Sequence, residues 1–248
     1  MAQATAHPDY QHLLVKDQCL WELTRSDRAN HRHHVVLPGG LHSNGYFRAP
    51  TNNPSLMRTV VYELYDKWTE TTMREEGLRG KVDVVVGPER ETALLVGLFT
   101  LRVQESLHYG SEGTRTCVTK KLNEGTPQED QEWVEHYTGL AEGNRVLVLE
   151  NVVTTGTTAT QTVRAIRRYA ERLGITIEIL PAIGCILNRT QADTLLIDGT
   201  KFQLVSYQHK QFTDWPPDNC PLCQEGSIAL DPRTEWDTLM KSMEKPKQ

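Results

Sequence analysis

The hydrophobic positions of this chain change their period in a recurring order. "KVDVVVGPERETALLVGLFTLRVQESLHYG", Lys81 to Gly110, opens with a β-branched run and breaks at Gly87-Pro88. It resumes with Leu94, Leu95, Leu98, Leu101 and Val103 at mostly helical spacing. That pattern predicts a strand, a turn and a helix. From Arg145 the order repeats: "RVLVLE" is a strand, a threonine-rich loop follows, and "TATQTVRAIRRYAERLG" is a helix whose Val163, Ile166, Ala170 and Leu173 share one face. Gly174 supplies a C-terminal stop, and "ITIEILPAIGCIL", Ile175 to Leu187, is the next strand. Two successive strand-helix units predict an α/β fold with an open, mainly parallel sheet flanked by helices.

Elsewhere the pattern is weaker. Thr119 to Asn144 is polar and predicts an excursion or hairpin over the ligand edge of the sheet. Before the sheet, a helix is predicted around His12 to Thr24, then the turn-rich "LPGGLHSNGYFRAP", then a helix near Asn53 to Met73 opened by Pro54. The tail from Thr234 is charged and is expected to be loosely held. These boundaries divide the chain into an N-terminal helical segment (1–80), an α/β core with a cysteine-bearing end (81–233) and the tail (234–248).

Composition narrows the function classes. The chain has 248 residues, 38% apolar and 24% charged, and contains no repeat or low-complexity tract, as expected of a globular protein. A net charge of −5 gives no global reason to bind nucleic acid or an anionic membrane, so any anion must be caught locally. The longest apolar run, Ala93 to Phe99, is too short to span a bilayer, and the first thirty residues contain no apolar leader core. The expectation is a cytoplasmic protein with reduced thiols, because five cysteines do not form the even framework of a small secreted domain. "CPLC" gives Cys220 and Cys223 metal-ligand spacing, but structural zinc takes about four ligands and no second CxxC exists. His209 or another subunit is a candidate to complete it. "NHRHH", Asn30 to His34, has the residues of a metal or nucleic-acid site but no further ligands or basic surround, and is read as a solvated loop; Cys19, Cys117 and Cys185 are read as structural.

In open parallel sheets, ligands sit outside the carboxyl ends of the strands, where both "GPERE" and "ENVVTTGTT" fall. Gly156, flanked by Thr154, Thr155, Thr157 and Thr158 at the start of a helix, presents backbone N–H groups and hydroxyls to one small anion. A phosphate monoester fits. No GxxxxGK[ST] or GxGxxG occurs, which argues against triphosphate hydrolysis and dinucleotide binding. Glu150 would suit the hydroxyls of a sugar carrying that phosphate. On residue types alone, Glu150 and the threonines read equally well as caps of the following helix.

The full stretch "VLVLENVVTTGTT", Val146 to Thr158, resembles the signature of type I phosphoribosyltransferases: apolar residues, two acids, two apolar residues, then a threonine-glycine loop. Asn151 stands where that pattern has its second acid. The resemblance implies the type I phosphoribosyltransferase fold with a small N-terminal hood-like segment. It also implies a loop, Thr154 to Thr158, that binds the 5-phosphate of phosphoribosyl pyrophosphate (PRPP), and Glu150 and Asn151 on the ribose hydroxyls. Four weaker stretches resemble the orotate phosphoribosyltransferase branch: "GGLHSNGYFRAP", "VVVGPERETALLVG" at a pyrophosphate loop, "VTKKLNEG" at the start of a mobile loop, and "CPLCQEGSIAL". By that resemblance Tyr46, Phe47 and Arg48 are base-side residues and Arg90 belongs to the PRPP site. Lys120 and Lys121 reach pyrophosphate with Glu150 and Asn151 as their catalytic partners, Mg²⁺ is the cofactor, and the assembly is a homodimer.

The reaction so implied transfers ribose 5-phosphate from PRPP to a ring nitrogen of a base, a pyrimidine such as orotate, with release of pyrophosphate and no enzyme nucleophile. It needs cations on the leaving group and acids near the cationic ribose. Two features depart from that requirement. Asn151 has neither the charge nor the proton affinity of a carboxylate. Glu89 and Glu91 would oppose pyrophosphate unless Arg90 or Mg²⁺ masks them. A different class therefore stands beside the enzyme: a regulator or complex subunit that keeps the PRPP or nucleotide site and has lost turnover.

Overall fold

The computed structural model describes residues 19–23, 33–37, 39–74, 81–106, 113–123, 129–134 and 139–243. In chain order the strands are β1 (Leu20–Glu22), β2 (His33–Val36), β3 (His42–Ser43), β4 (Gly45–Phe47), β5 (Val84–Pro88), β6 (Arg115–Leu122), β7 (Asp130–Trp133), β8 (Arg145–Val153), β9 (Glu178–Asn188), β10 (Thr194–Ile197), β11 (Thr200–His209), β12 (Asp214–Trp215) and β13 (Ile228–Leu230). The helices are α1 (Pro54–Arg74), α2 (Glu91–Glu105), α3 (Thr157–Leu173), α4 (Pro221–Gln224) and α5 (Trp236–Met243). Two compact units result: a terminal unit, Met1–Arg48 with Phe212–Gln248, and a central unit, Ala49–Gln211. This division differs from the boundaries at 80 and 233 expected from the sequence, because the chain returns to its N-terminal strands after β11.

The central unit is a seven-stranded sheet in the order β10-β11-β9-β8-β5-β6-β7. Its five inner strands are parallel, and β10 and β7 are antiparallel edges. β5 connects through α2 to β6, whereas β8 connects through α3 to β9 in the opposite direction along the sheet. Right-handed crossovers then put α2 and α3 on opposite faces. On one face Val163, Ile166 and Ala170 of α3 pack on Val84, Val86, Val146 and Val148, all buried. On the other, Trp68 of α1 meets Phe99 of α2 edge-to-face at 6.0 Å. β5 and β8 are adjacent and their connections diverge, so the open crevice lies at their carboxyl ends. α3 ends where expected: Gly174 is left-handed at φ 67° and its N–H returns to the carbonyls of Ala170 and Glu171.

The hairpin predicted between Thr119 and Asn144 is β6–β7, and it forms the edge of the sheet. It is tied to α3, where Gln161 Nε2 donates to the Glu129 carbonyl at 2.6 Å and Trp133 stacks on Tyr169 at 4.9 Å. Its tip lies outside the described residues.

The terminal unit holds a two-stranded β1–β4 sheet and a four-stranded sheet, β12-β3-β2-β13. Three expectations are corrected here. Leu20–Glu22 is a strand, not the end of a helix, because β4 is there to pair with it, Leu20 opposite Phe47; His12 to Gln18 lies outside the described residues. His34 is fully buried in β2, not part of a solvated loop, while Asn30 to Arg32 is not described. The stretch after Thr234 is not loose up to Met243: Trp236, Leu239 and Met240 of α5 are buried with Trp21, and the Trp21 indole donates to the Leu239 carbonyl at 3.1 Å.

Candidate functional site

β8 delivers Glu150 and Asn151, both buried, to the carboxyl edge of the central sheet beside β5. A Glu150 carboxylate oxygen accepts the Asn151 N–H at 2.9 Å. The Asn151 Oδ1 is buried and accepts no hydrogen bond from the described residues. On β9, opposite Glu150, sits Cys185, whose thiol is pushed well above the usual range by complete burial and by the Glu150 charge. It is an inert structural thiol, as expected.

Beyond Val153 the backbone turns through Gly156, left-handed at φ 78° and ψ 7°, directly into α3. A Cβ on Gly156 would lie 2.8 Å from both methyls of Leu195, so the position excludes a side chain on conformation and on space. Thr154, Thr155 and Thr157 are exposed, and the Thr155 and Thr157 hydroxyls are 2.8 Å apart. The first-turn N–H groups of α3 have no intrahelical acceptors and carry the positive end of the helix dipole. Together with the hydroxyls they line a small cleft with Glu150 and Val152. The arrangement is an anion nest with one buried carboxylate at its edge.

The neighbouring turn follows β5. A Cβ on Gly87 would fall 2.9 Å from the Leu149 carbonyl oxygen, so this glycine lets the ends of β5 and β8 close together. The Glu89 N–H donates to the Thr119 carbonyl at 2.7 Å, and Arg90 adopts φ 69°, ψ −112° just before α2. A non-glycine residue there costs on the order of 1–3 kcal/mol, which the surrounding β5–β6 pairing must hold in place.

Other predicted residues lie apart from the nest. Lys121 pairs with Glu129 at 3.5 Å. Lys120, one residue along the strand, lines a groove of about 520 Å³ with Glu132, Trp133, Arg168, Tyr169 and Arg172. In the terminal unit Phe47 is buried, Tyr46 packs edge-on against Trp236 at 5.8 Å, and Arg48 is exposed. His209 bonds the Thr190 carbonyl at 2.6 Å and does not complete the cysteine pair. Two unpredicted residues do: His34 and His42 stand beside Cys220 and Cys223. Burial, with His42 and His33 adding to it, lowers His34 to about 4, so its ring is neutral. The histidine run that holds His34 was the local signal, set aside for want of further ligands; nothing joined it or His42 to the cysteines, which they reach only through the pairing of strands from both ends of the chain.

The central sheet, its diverging crossovers and its flanking helices are the type I phosphoribosyltransferase fold. The orotate phosphoribosyltransferase of Aeropyrum pernix aligns with a TM-score of 0.55 at 16% identity, over 81% of this chain and 93% of that one. In sequence the chain resembles the orotate branch. It is 26% identical over 206 residues to the orotate phosphoribosyltransferase of Caldanaerobacter subterraneus, covering 80% of this chain and 87% of the relative. It is 22% identical over 207 residues to that of Chlorobium phaeobacteroides, covering 83% and 89%. No protein-family model matches the chain. Among the described residues no helix is long and apolar enough to cross a membrane.

Proposed function

We propose that the protein is a phosphoribosyltransferase that joins ribose 5-phosphate from PRPP to a ring nitrogen of a pyrimidine base, orotate being the first candidate, and releases pyrophosphate. The observation that carries the reading is the nest of Thr154 to Thr158 at the start of α3, with buried Glu150 at its edge. In this reading the nest binds the 5-phosphate. Glu150 and Asn151 face the ribose hydroxyls, and Arg90, Lys120 and Lys121 serve the pyrophosphate. Bond formation from the base nitrogen to the anomeric carbon accompanies cleavage of the bond to the pyrophosphate oxygen, so the chain has to stabilise charge and supplies no nucleophile.

The donor set at β8 suits Mg²⁺, a hard cation that takes oxygen ligands, keeps several waters and shares the substrate's phosphates. Glu150 offers a carboxylate, and the buried Oδ1 of Asn151 is available as a second oxygen. Bound there, Mg²⁺ would offset the negative charge that builds on departing pyrophosphate.

A second reading is supported by Asn151 and by the strained, acid-flanked turn at Arg90: a protein that binds PRPP or a nucleotide and does not turn it over. Pyrophosphate release from PRPP, with Mg²⁺ and a panel of bases, separates the two. Release that depends on orotate supports the enzyme. Calorimetric binding of PRPP without release supports the binder, and absence of both removes the site assignment.

A further inference from the structure

The terminal unit brings four side chains together that no local motif unites. His34 is on β2, His42 on β3, Cys220 immediately precedes α4 and Cys223 lies within it. Val36 pairs with His42 across β2 and β3, and His34 pairs with Ala229 across β2 and β13, so the sheet fixes both histidines relative to the turn that carries the cysteines. His34 Nε2 lies 3.0 Å from His42 Nδ1, 3.6 Å from Cys220 Sγ and 3.5 Å from Cys223 Sγ. Cys223 Sγ lies 3.2 Å from His42 Nδ1, and all four atoms fall within 4.8 Å of one another.

A tetrahedron around zinc, with Zn–N of about 2.0–2.1 Å and Zn–S of about 2.3 Å, has edges of about 3.3 to 3.8 Å; the contacts of His34 Nε2 with the two sulfurs fall within that range, the 3.0 and 3.2 Å contacts are slightly shorter, and the widest spread of 4.8 Å requires a small closure on binding. Hydrogen bonding among the four gives a poorer account. His34 Nδ1 is 2.9 Å from the Ser227 hydroxyl, and when it donates there Nε2 is a bare lone pair facing the cluster. His42 Nδ1–H can donate to that lone pair, but both thiols are then left with weak hydrogen bonds only. His34, His42 and Cys220 are buried, so among the four only the exposed Cys223 thiol is open to water. The Ser227 contact is also what a ligating histidine needs, because it fixes the tautomer and the ring orientation. Two thiols and two imidazoles with no carboxylate form a set that suits zinc and not Mg²⁺. Cys220 is entirely buried and Cys223 is exposed, so the cluster lies at the edge of the terminal unit's core.

The geometry points to a structural Cys₂His₂ zinc site formed by His34, His42, Cys220 and Cys223, which fastens the N-terminal strands of the terminal unit to its C-terminal turn. The site is closed, with four protein ligands, and therefore has no position left for a substrate. It stands independently of the PRPP reading.

The test is the metal content of the full-length chain by plasma mass spectrometry, followed by Co²⁺ titration of the chelated chain. One zinc per chain is expected, together with intense visible Co²⁺ bands and near-ultraviolet thiolate charge transfer. Cys223→Ser and His42→Ala should reduce the metal to background, and His42→Cys, which keeps a zinc-competent donor, should retain it. A folded, metal-free wild-type chain with only the weak spectrum of hydrated Co²⁺ would overturn the proposal, as would full zinc in Cys223→Ser or a Cys220–Cys223 disulfide in the folded chain. Where the variants do not fold, the wild-type chain decides: a mercurial that modifies thiols releases one zinc per chain if the cysteines hold it, and none if they do not.

Discussion

The anion nest of the central unit occupies consecutive residues, Thr154 to Thr158, at one strand-helix junction, whereas the donors of the terminal unit come from His34, His42, Cys220 and Cys223. The first needs only a short backbone turn to become a site: once Gly156 is left-handed and α3 begins, the N–H groups already converge. The second does not exist until two distant stretches pair. Local geometry can therefore converge donors on one point without fixing the fold around them. A site assembled from both ends of the chain requires that fold, and a metal bound there would stabilise it.

Removing the metal should produce the largest effect, and it should remain confined to one unit. Zinc contributes about 10–16 kcal/mol to peptides whose fold is the metal site alone; a unit that also buries Trp21, Leu222 and Trp236 should lose less, roughly 5 kcal/mol. Hydrogen exchange after chelation should show β2, β3 and β13 losing protection while β8 and α3 keep theirs and PRPP still protects. Equal loss in both units would end the separation between local and assembled sites.

Gly156→Val is the converse. The left-handed backbone and the contact with Leu195 together should cost roughly 2–4 kcal/mol. Calorimetry should find PRPP binding abolished while zinc content is unchanged. Retained PRPP affinity would move the phosphate elsewhere.

Asn151→Asp sharpens the reading of the nest. One electrostatic contact of this kind is worth at most roughly 2–4 kcal/mol, so a gain of about tenfold in turnover with orotate and Mg²⁺ is expected. Vigorous wild-type turnover that falls in the variant would make the amide a requirement and withdraw orotate as the base.

The smallest effects should come from the lysines. Lys121→Ala removes a part-exposed pair with Glu129 and should cost less than about 1 kcal/mol of stability by chemical denaturation. Replacing Lys120 and Lys121 together should lower kcat more than PRPP affinity if they act on departing pyrophosphate. Unchanged kinetics would return both to the groove and ion pair in which they lie.

The sheet and the nest were legible because their signals are local. Val84 to Val86 and Val146 to Leu149 are apolar runs buried on both faces, and Gly156 and Gly174 mark the bounds of α3. The terminal unit was not legible for the same reason. Leu20 to Leu23 is too short for its apolar period to distinguish strand from helix, and β4 decided it. His34 sits in a run of histidines whose composition reads as solvated, and only its neighbours on β3, β13 and α4 bury it. Trp236, Leu239 and Met240 did carry a helical spacing, hidden by the charges around them.

The terminal unit draws on Cys19 to Arg48 and on Phe212 to Met243, with the whole central unit inserted between. During synthesis this sets an order of events. The first strands leave the ribosome with no β13 to pair with and two histidines without their thiols, and they stay so until Cys223 emerges. The central sheet, its partners all encoded between Ala49 and Gln211, can close earlier. Completion of the terminal unit is thus a late step, and metal uptake at His34, His42, Cys220 and Cys223 would follow the emergence of its C-terminal turn.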